Sequence, residues 1–347
     1  MIRRMIAALL LCLFSLPAHG EEAVAVFGAE SARPMLFRST TDIRVLGPTI
    51  EEFVRLNPDI RVIYEQWGSN ALYAESLKDC EAGRGADAIL SSAVHQLVSL
   101  VNSACAAPYR SPLTEALPND RRWRDELWGI TREAAVIIYN TALVSEEDVP
   151  HSRFELLDLM RRENPIYEDR IATYDIEASG LGYLFAFSDS IEASTFGALL
   201  EGFSRVDAVA TCCSNEIIEG VSSGRYLIAY NVLGSYVSAQ YRDNVSVVMP
   251  EDYTLFLSRT YMIPRNAQNQ SAATRLLDFL LSSQGDALLR DSGLVMRRDP
   301  EETFLPESSE RAIPINPMLL VALDQHRRKR FIAQWRSTFG APQFLSP

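Results

Sequence analysis

Lysine is nearly absent: Lys78 and Lys329 are the only two in 347 residues, and every other basic side chain is arginine. Acidic residues outnumber basic ones 45 to 33, a formal net charge of −12. That balance argues against nucleic acid or an anionic membrane as partner. The one basic run, HRRKR from His326 to Arg330, has no second cluster beside it and reads as a solvated helix face. Histidine is scarce, with four residues. There is no H-E-x-x-H and no glycine loop ending in Lys-Ser/Thr, which removes a zinc-protease helix and a P-loop. Internal repeats and low-complexity linkers are missing too. No apolar run reaches the roughly 18 residues that span a bilayer.

The apolar run from Ile6 to Leu16 follows Arg3 and Arg4 and precedes Ala18 and Gly20, the form of a cleaved secretory signal. Cleavage after Gly20 leaves 31 basic against 45 acidic side chains and a periplasmic protein, with no membrane insertion afterwards. Cys12 lies inside the run, behind Leu11, where lipid-attachment signals want a small residue. The exported chain keeps Cys80, Cys105, Cys212 and Cys213 in a compartment that permits disulfides. Cys80 with Cys105 would close one local loop. The adjacent Cys212 and Cys213 fit a vicinal bridge, a reduced pair or a soft-metal site, the last weakened by the lack of a nearby histidine.

What is present is alternation. Met35 to Arg38 reads as a strand, a helix follows to about Leu56, and Ile60 to Gln66 is a second strand, with Asn57-Pro58 stopping the helix. Ala71 to Cys80 is helical, Ala86 to Leu90 a buried strand, and SSAVHQLVSLVNS a helix again. Trp128 to Asn140 gives one long apolar strand that would cross into a second lobe, opened by a helix from Phe154 to Arg162. VSVVMPEDYTLFLSRTYMIP reads as the return, and a terminal helix covers Pro317 to Arg336. The pattern predicts an α/β fold of two interleaved lobes, each a mainly parallel sheet flanked by helices.

Each strand-to-helix loop carries small hydroxyl residues: Ser39, Thr40 and Thr41; Gly68 and Ser69; Ser91 and Ser92; Ser179 with Gly180. Unpaired N–H groups and the positive dipole end at a helix start make an anion site without lysine. The same residues also serve as plain helix caps. Arg38 and Arg132 stand near cleft edges, where a guanidinium clamps a carboxylate or phosphate in two-pronged fashion. In GRYLIAYNVLGSY, Tyr230 and Asn231 interrupt an apolar strand before a Gly-Ser turn and would donate hydrogen bonds to an organic ligand. ASGLGY is only a superficial nucleophile elbow, and a Cys212 nucleophile with His95 or His151 is not required by any spacing, so an exported hydrolase is the remote alternative.

FRSTTD with TIEEFVRLNPDIRVIYEQWGS, then GADAILSSAVHQLVSLVN, LWGITREAAVIIYN, EASGLGYLF, GRYLIAYNVLGSY and YMIPRNAQNQSAATRLLDFLLSSQGDALL, in that order, resemble the periplasmic solute-binding proteins of ABC-type importers. The similarity is to the branch with ferric-iron and phosphoglycerate-related components. It implies a type II periplasmic-binding-protein fold with two crossing strands as hinge and ligand between the lobes. Residues 21–132 and 253–310 would form lobe 1, 133–252 lobe 2, and 311–347 a C-terminal helical segment. It also implies a monomer that needs no cofactor and delivers a small organic anion to an ABC permease, or presents it to a sensor histidine kinase. Ferric-binding members hold iron through adjacent tyrosines at the end of this strand. An ungapped alignment puts Val232 and Leu233 there, so iron is the lesser alternative and no metal ligands are expected.

Overall fold

The computed structural model describes residues 21–162, 164–239, 242–296 and 309–340. The predicted signal peptide, residues 1–20, lies outside the described residues.

The chain begins with β1 (Glu21–Phe27) and β2 (Arg33–Ser39), then α1 (Ile43–Leu56), β3 (Ile60–Trp67), α2 (Ser69–Ala82), β4 (Ala88–Ser91) and α3 (Val94–Asn102). Leu46, Ile50, Phe53 and Val54 recur at helical spacing on α1 and are its buried face. A single turn α4 (Pro112–Glu115) and the short strands β5 (Arg122–Trp123) and β6 (Leu127–Gly129) follow. Strand order in this sheet is β1-β3-β2-β4-β13-β6-β5, with β2 parallel to β3 and β4. Here β13 is Thr260–Met262, which returns much later and pairs antiparallel with both β4 and β6.

The second sheet starts at β7 (Glu133–Asn140) and continues through α5 (Arg153–Arg161), β8 (Ile171–Tyr174), α6 (Gly180–Glu192), α7 (Phe196–Arg205) and β9 (Val209–Thr211). Next come α8 (Ser214–Ser222), β10 (Ile228–Leu233), α9 (Gly234–Ala239), β11 (Val245–Val248) and β12 (Thr254–Leu257). Its order is β14-β12-β7-β10-β8-β9, with β11 on β7 and β14 at Glu310–Ala312. The first sheet is then flanked by α10 (Gln270–Leu281) and α11 (Ser283–Asp291). Each lobe is therefore a sheet with helices on its faces, as the alternation suggests, but the sheets are mixed rather than mainly parallel: β13, β6 and β5 pair antiparallel in the first, and β7 pairs antiparallel with β10, β11 and β12 in the second.

Three boundaries differ from the sequence reading. The run Trp128 to Asn140 is two strands, β6 in the first sheet and β7 in the second, and the chain changes sheets across Ile130–Arg132. The return crossing falls at Ser258–Arg259 rather than at Tyr253, because Phe256 and Leu257 pair with Ala134 and Glu133 of β7. Residues 310–312, divided between lobe 1 and the tail by the sequence reading, pair with β12 in the second sheet. The terminal helix is also shorter: Pro317–Leu323 is a 3-10 segment, and α12 (Gln325–Phe339) starts where Asp324 accepts from the Arg327 N–H at 2.9 Å.

That C-terminal segment touches both lobes. Its 3-10 turn packs on α3 and its helix on α7. The Tyr183 hydroxyl on α6 donates to the Ala322 carbonyl at 2.6 Å. Cys80 is bonded to Cys105, with Cα atoms 5.5 Å apart, within ordinary disulfide reach. Cys212 is bonded to Cys213.

Candidate ligand site between the lobes

Parallel strands present ligands at their carboxyl ends. In this chain the carboxyl ends of β2, β3 and β4 meet those of β8, β9 and β10 along one seam. Lobe 1 contributes Thr40 to Asp42, Ser69 with Asn70, and Ser91 with Ser92; lobe 2 contributes Ser179 with Gly180, Asn215 and Tyr236. The Tyr236 hydroxyl lies 3.4 Å from the Thr40 carbonyl and 3.4 Å from the Asp42 N–H. Asn215 donates to the Asp42 carboxylate. The Gly180 N–H donates to Ser69 Oγ at 2.9 Å, and Asn70 donates to the Glu177 and Ala178 carbonyls at 2.8 and 3.0 Å. A Cβ on Gly180 would stand 2.7 Å from Gln96 Nε2 and 3.0 Å from Ser69 Oγ, so a larger residue would push these side-chain ends aside.

At the crossings sits a buried ion pair. Arg259 donates from Nε to Glu133 Oε1 at 2.9 Å and from Nη2 to Oε2 at 3.2 Å. Its remaining Nη1 reaches Thr41 Oγ1 at 3.0 Å, and its guanidinium lies 5.2 Å from the Tyr236 ring centre. Burial alone would lower the pKa of Arg259, but Glu133 and Tyr236 hold it above the ordinary arginine value. Thr131 and Ser235 donate to the other lone pairs of Glu133. One cation thus touches the β2–α1 loop of lobe 1 and α9 of lobe 2.

The sequence candidates divide into four groups. Thr40, Thr41 and Ser92 are drawn together, with Thr40 Oγ1 and Ser92 Oγ 3.2 Å apart. Ser69 and Gly180 meet across the seam. Ser39, Ser91 and Ser179 instead fold their hydroxyls back onto the N–H groups of Thr41, Ala93 and Gly182, as caps and tight turns do. The arginines and the strand pair stand elsewhere. Arg38 is held by Glu65 at 2.8 Å and Asp79 at 2.6 Å. Arg132 pairs with Glu310 at 2.8 Å and lies 4.1 Å over the Phe256 ring.

Tyr230 and Asn231 need the largest correction. β10 runs on to Leu233, so both lie within the strand. Tyr230 accepts from Arg153 Nε and donates to Asp189, each at 2.6 Å, inside lobe 2. Asn231, at φ +59°, occupies an irregularity in the β10–β7 pairing and donates to the same carboxylate. Their hydrogen-bonding capacity serves the lobe's interior, not the seam. Val232 and Leu233 are fully buried in the sheet, and Tyr236 further along faces the other lobe.

Among the described residues no group of three His, Cys, Asp or Glu side chains could hold a metal. The pentapeptide Gly220 to Gly224 spells G-x-S-x-G, but Ser222 closes α8 and donates to Asn244, so it is no strand-to-helix nucleophile elbow.

His95, on α3 beside the seam, is buried and its pKa is pushed down to about 3, first by burial and then by the Arg328 charge. Folded His95 stays neutral while the unfolded chain binds a proton below about pH 6.5, so its contribution to stability is full above that pH and is lost as the pH falls towards 3. We expect acidification from about pH 6.5 to 5 to cost about 2 kcal/mol through this residue. Urea unfolding of His95→Phe at both pH values should show a correspondingly flatter dependence; an unchanged slope would contradict the assignment.

Two α/β lobes joined by crossing strands, with opposed helix starts between them, define a hinged binding protein. Residues 84–314 match the family of bacterial extracellular solute-binding proteins, and the chain belongs to that family. The substrate-binding protein of an ABC transporter from Agrobacterium tumefaciens is 31% identical over 91% of this chain and 98% of its own, with a TM-score of 0.85. The ferric binding protein from Campylobacter jejuni is 17% identical over 88% and 99%, with a TM-score of 0.68. The periplasmic binding protein AfuA from Actinobacillus pleuropneumoniae, with fructose-6-phosphate bound, is 13% identical over 90% and 100%, with a TM-score of 0.69. The last two share the fold alone. A comparison with curated proteins finds no match. Family members are binders that hand solute to ABC permeases, and among the described residues no helix is long and apolar enough to cross a membrane.

Proposed function

We propose that this is a periplasmic, non-enzymatic, monomeric binding protein that closes its lobes on a small organic anion and delivers it to an ABC importer. The observation that carries the anion is the meeting of helix starts along one seam, beside which Arg259, held by Glu133 at the hinge, joins Thr41 of lobe 1 to the Tyr236 ring of lobe 2. The starts of α1, α3 and α8 add N–H dipoles along the same seam. The protein's acidic net charge opposes long-range capture of an anion, so affinity comes from local charge-assisted hydrogen bonds, each contributing roughly 1.5 to 3 kcal/mol.

A ligand that binds only the folded, closed form stabilises it by about 2.7 kcal/mol at a hundredfold excess over Kd. A thermal-shift screen of di- and tricarboxylates, phosphoglycerates, polyols, amines and ferric citrate should therefore find its largest rise with an anion. If polyols or amines raise the melting temperature while every anion leaves it unchanged, the anion is wrong. A red tyrosinate-to-iron band that Tyr236→Phe removes would shift the reading to iron. Presentation to a sensor kinase would leave this screen unaltered and differ only in the partner.

A further inference from the structure

The basic run His326 to Arg330 has found no role in the seam, yet two of its residues line a cavity. A space of about 510 Å³ opens between α2 and α3 of lobe 1, the start of α6 in lobe 2 and the C-terminal helix. That volume suits a small ligand. Asn70, His95, Gln96 and Gly180 supply its lobe walls, and Arg328 and Lys329 its roof. Among the described residues neither cation is in an ion pair. Arg328 only overlies the Tyr183 ring, 5.4 Å from its centre. The nearby Glu177 carboxylate is already taken by Arg336, at 2.6 Å.

Two walls carry buried polar atoms without partners. Asn70 spends its N–H groups on the Glu177 and Ala178 carbonyls, so its oxygen must accept, and Gln96 Nε2 donates to it at 2.8 Å. This fixes the Gln96 amide and leaves Oε1, an acceptor, unpaired in a side chain that is 5% exposed. His95 Nδ1 is unpaired as well, in a side chain that is 1% exposed. Buried acceptors left unmade are costly, and a ligand hydroxyl satisfies them.

We propose that this cavity binds a small anion that also carries hydroxyl groups, its charge set against Arg328 and Lys329 and a hydroxyl donated to Gln96 Oε1. The assignment rests on the interlobe reading above and makes the C-terminal helix part of the binding apparatus. Hydroxycarboxylates and phosphorylated polyols share this chemistry. A ligand seated here touches both lobes and the segment that bridges them, so it favours the closed arrangement by its own contacts.

Calorimetric titration of the mature chain tests it with four probes: gluconate, glycerol 3-phosphate, glutarate as an anion without hydroxyls, and glycerol as hydroxyls without charge. Gluconate or glycerol 3-phosphate should bind most tightly, which also separates carboxylate from phosphate. Arg328→Gln with Lys329→Gln, on a surface helix, should weaken that probe at least tenfold while leaving the melting temperature of the free protein in place. Gln96→Met should weaken it as well and narrow its margin over glutarate. Full-strength binding in the double variant, or no binding by either hydroxylated anion, overturns the assignment. Anion binding that survives the double variant but is lost in Arg259→Gln would leave the interlobe reading standing. If no anion in the wider thermal screen has any effect, that reading fails too.

Discussion

Glu133→Ala is expected to lower the unfolding free energy by about 3 to 5 kcal/mol, because it strands the Arg259 guanidinium in a site with 1% side-chain exposure. The partner change should behave differently. Arg259→Met leaves a carboxylate that still accepts from Thr131 and Ser235, and Arg259→Met combined with Glu133→Leu removes both charges from the interior. A buried pair replaced by apolar side chains of similar volume is often neutral for stability, so the combination should recover most of what Glu133→Ala loses. Anion binding should not recover with it. Urea unfolding and titration calorimetry on the same three variants thus separate the hinge's cohesion from its chemistry. Tight anion binding by the double variant would remove Arg259 from the ligand contacts, and a cost below about 1 kcal/mol for Glu133→Ala would show the pair to be solvated.

A loss of the same size, about 3 to 5 kcal/mol, is expected for Asp189→Ala in the heart of lobe 2. Asp189 accepts from Tyr230 at 2.6 Å, Tyr253 at 2.8 Å, Arg153 Nη2 at 3.1 Å and Asn231. Without it Arg153, also fully buried, keeps only the partly exposed Asp252 as a charged partner, at 3.3 Å. Burial holds Tyr230 well above the ordinary tyrosine pKa against the opposing charge of Arg153, so its hydroxyl remains a poor substitute for the missing carboxylate. The change lies off the seam, so ligand affinity in the surviving folded fraction should hold. Unfolding monitored by tyrosine fluorescence checks the first part and calorimetry the second; affinity that falls in step with stability would put this network in the ligand site.

The β-α units were legible because buried strands and amphipathic helices differ in period and in their stop signals. Trp128 to Asn140 was not, since both halves are equally apolar and only the partner strands reveal that the chain has changed sheets. Polar residues in an apolar strand were read as facing a ligand. Tyr230 and Asn231 face Asp189 and Arg153 instead, partners 41 and 77 residues away from Tyr230 that no local pattern announces. Tyr236 and Asn215 did leave a signal: each stands just past a strand-to-helix turn like those that drew attention to Thr40 and Ser92. Arg259 left none, because an arginine between two apolar strands looks like a turn until the hinge is known.

The late return of β13 also orders events as the chain folds from its amino-terminal end. It is inserted between β4 and β6, and the β5–β6 hairpin joins its sheet through β13 alone. Until residue 262 is available, the first half of the chain has an unfinished sheet whose β4 edge is open to any other strand. The second sheet has its β10-β8-β9 parallel run by residue 233, although β12 and β14 join its other side only later in the chain. The early strand β4 therefore waits through β7 to β12 for its neighbour, and it is there that a chaperone would have something to hold.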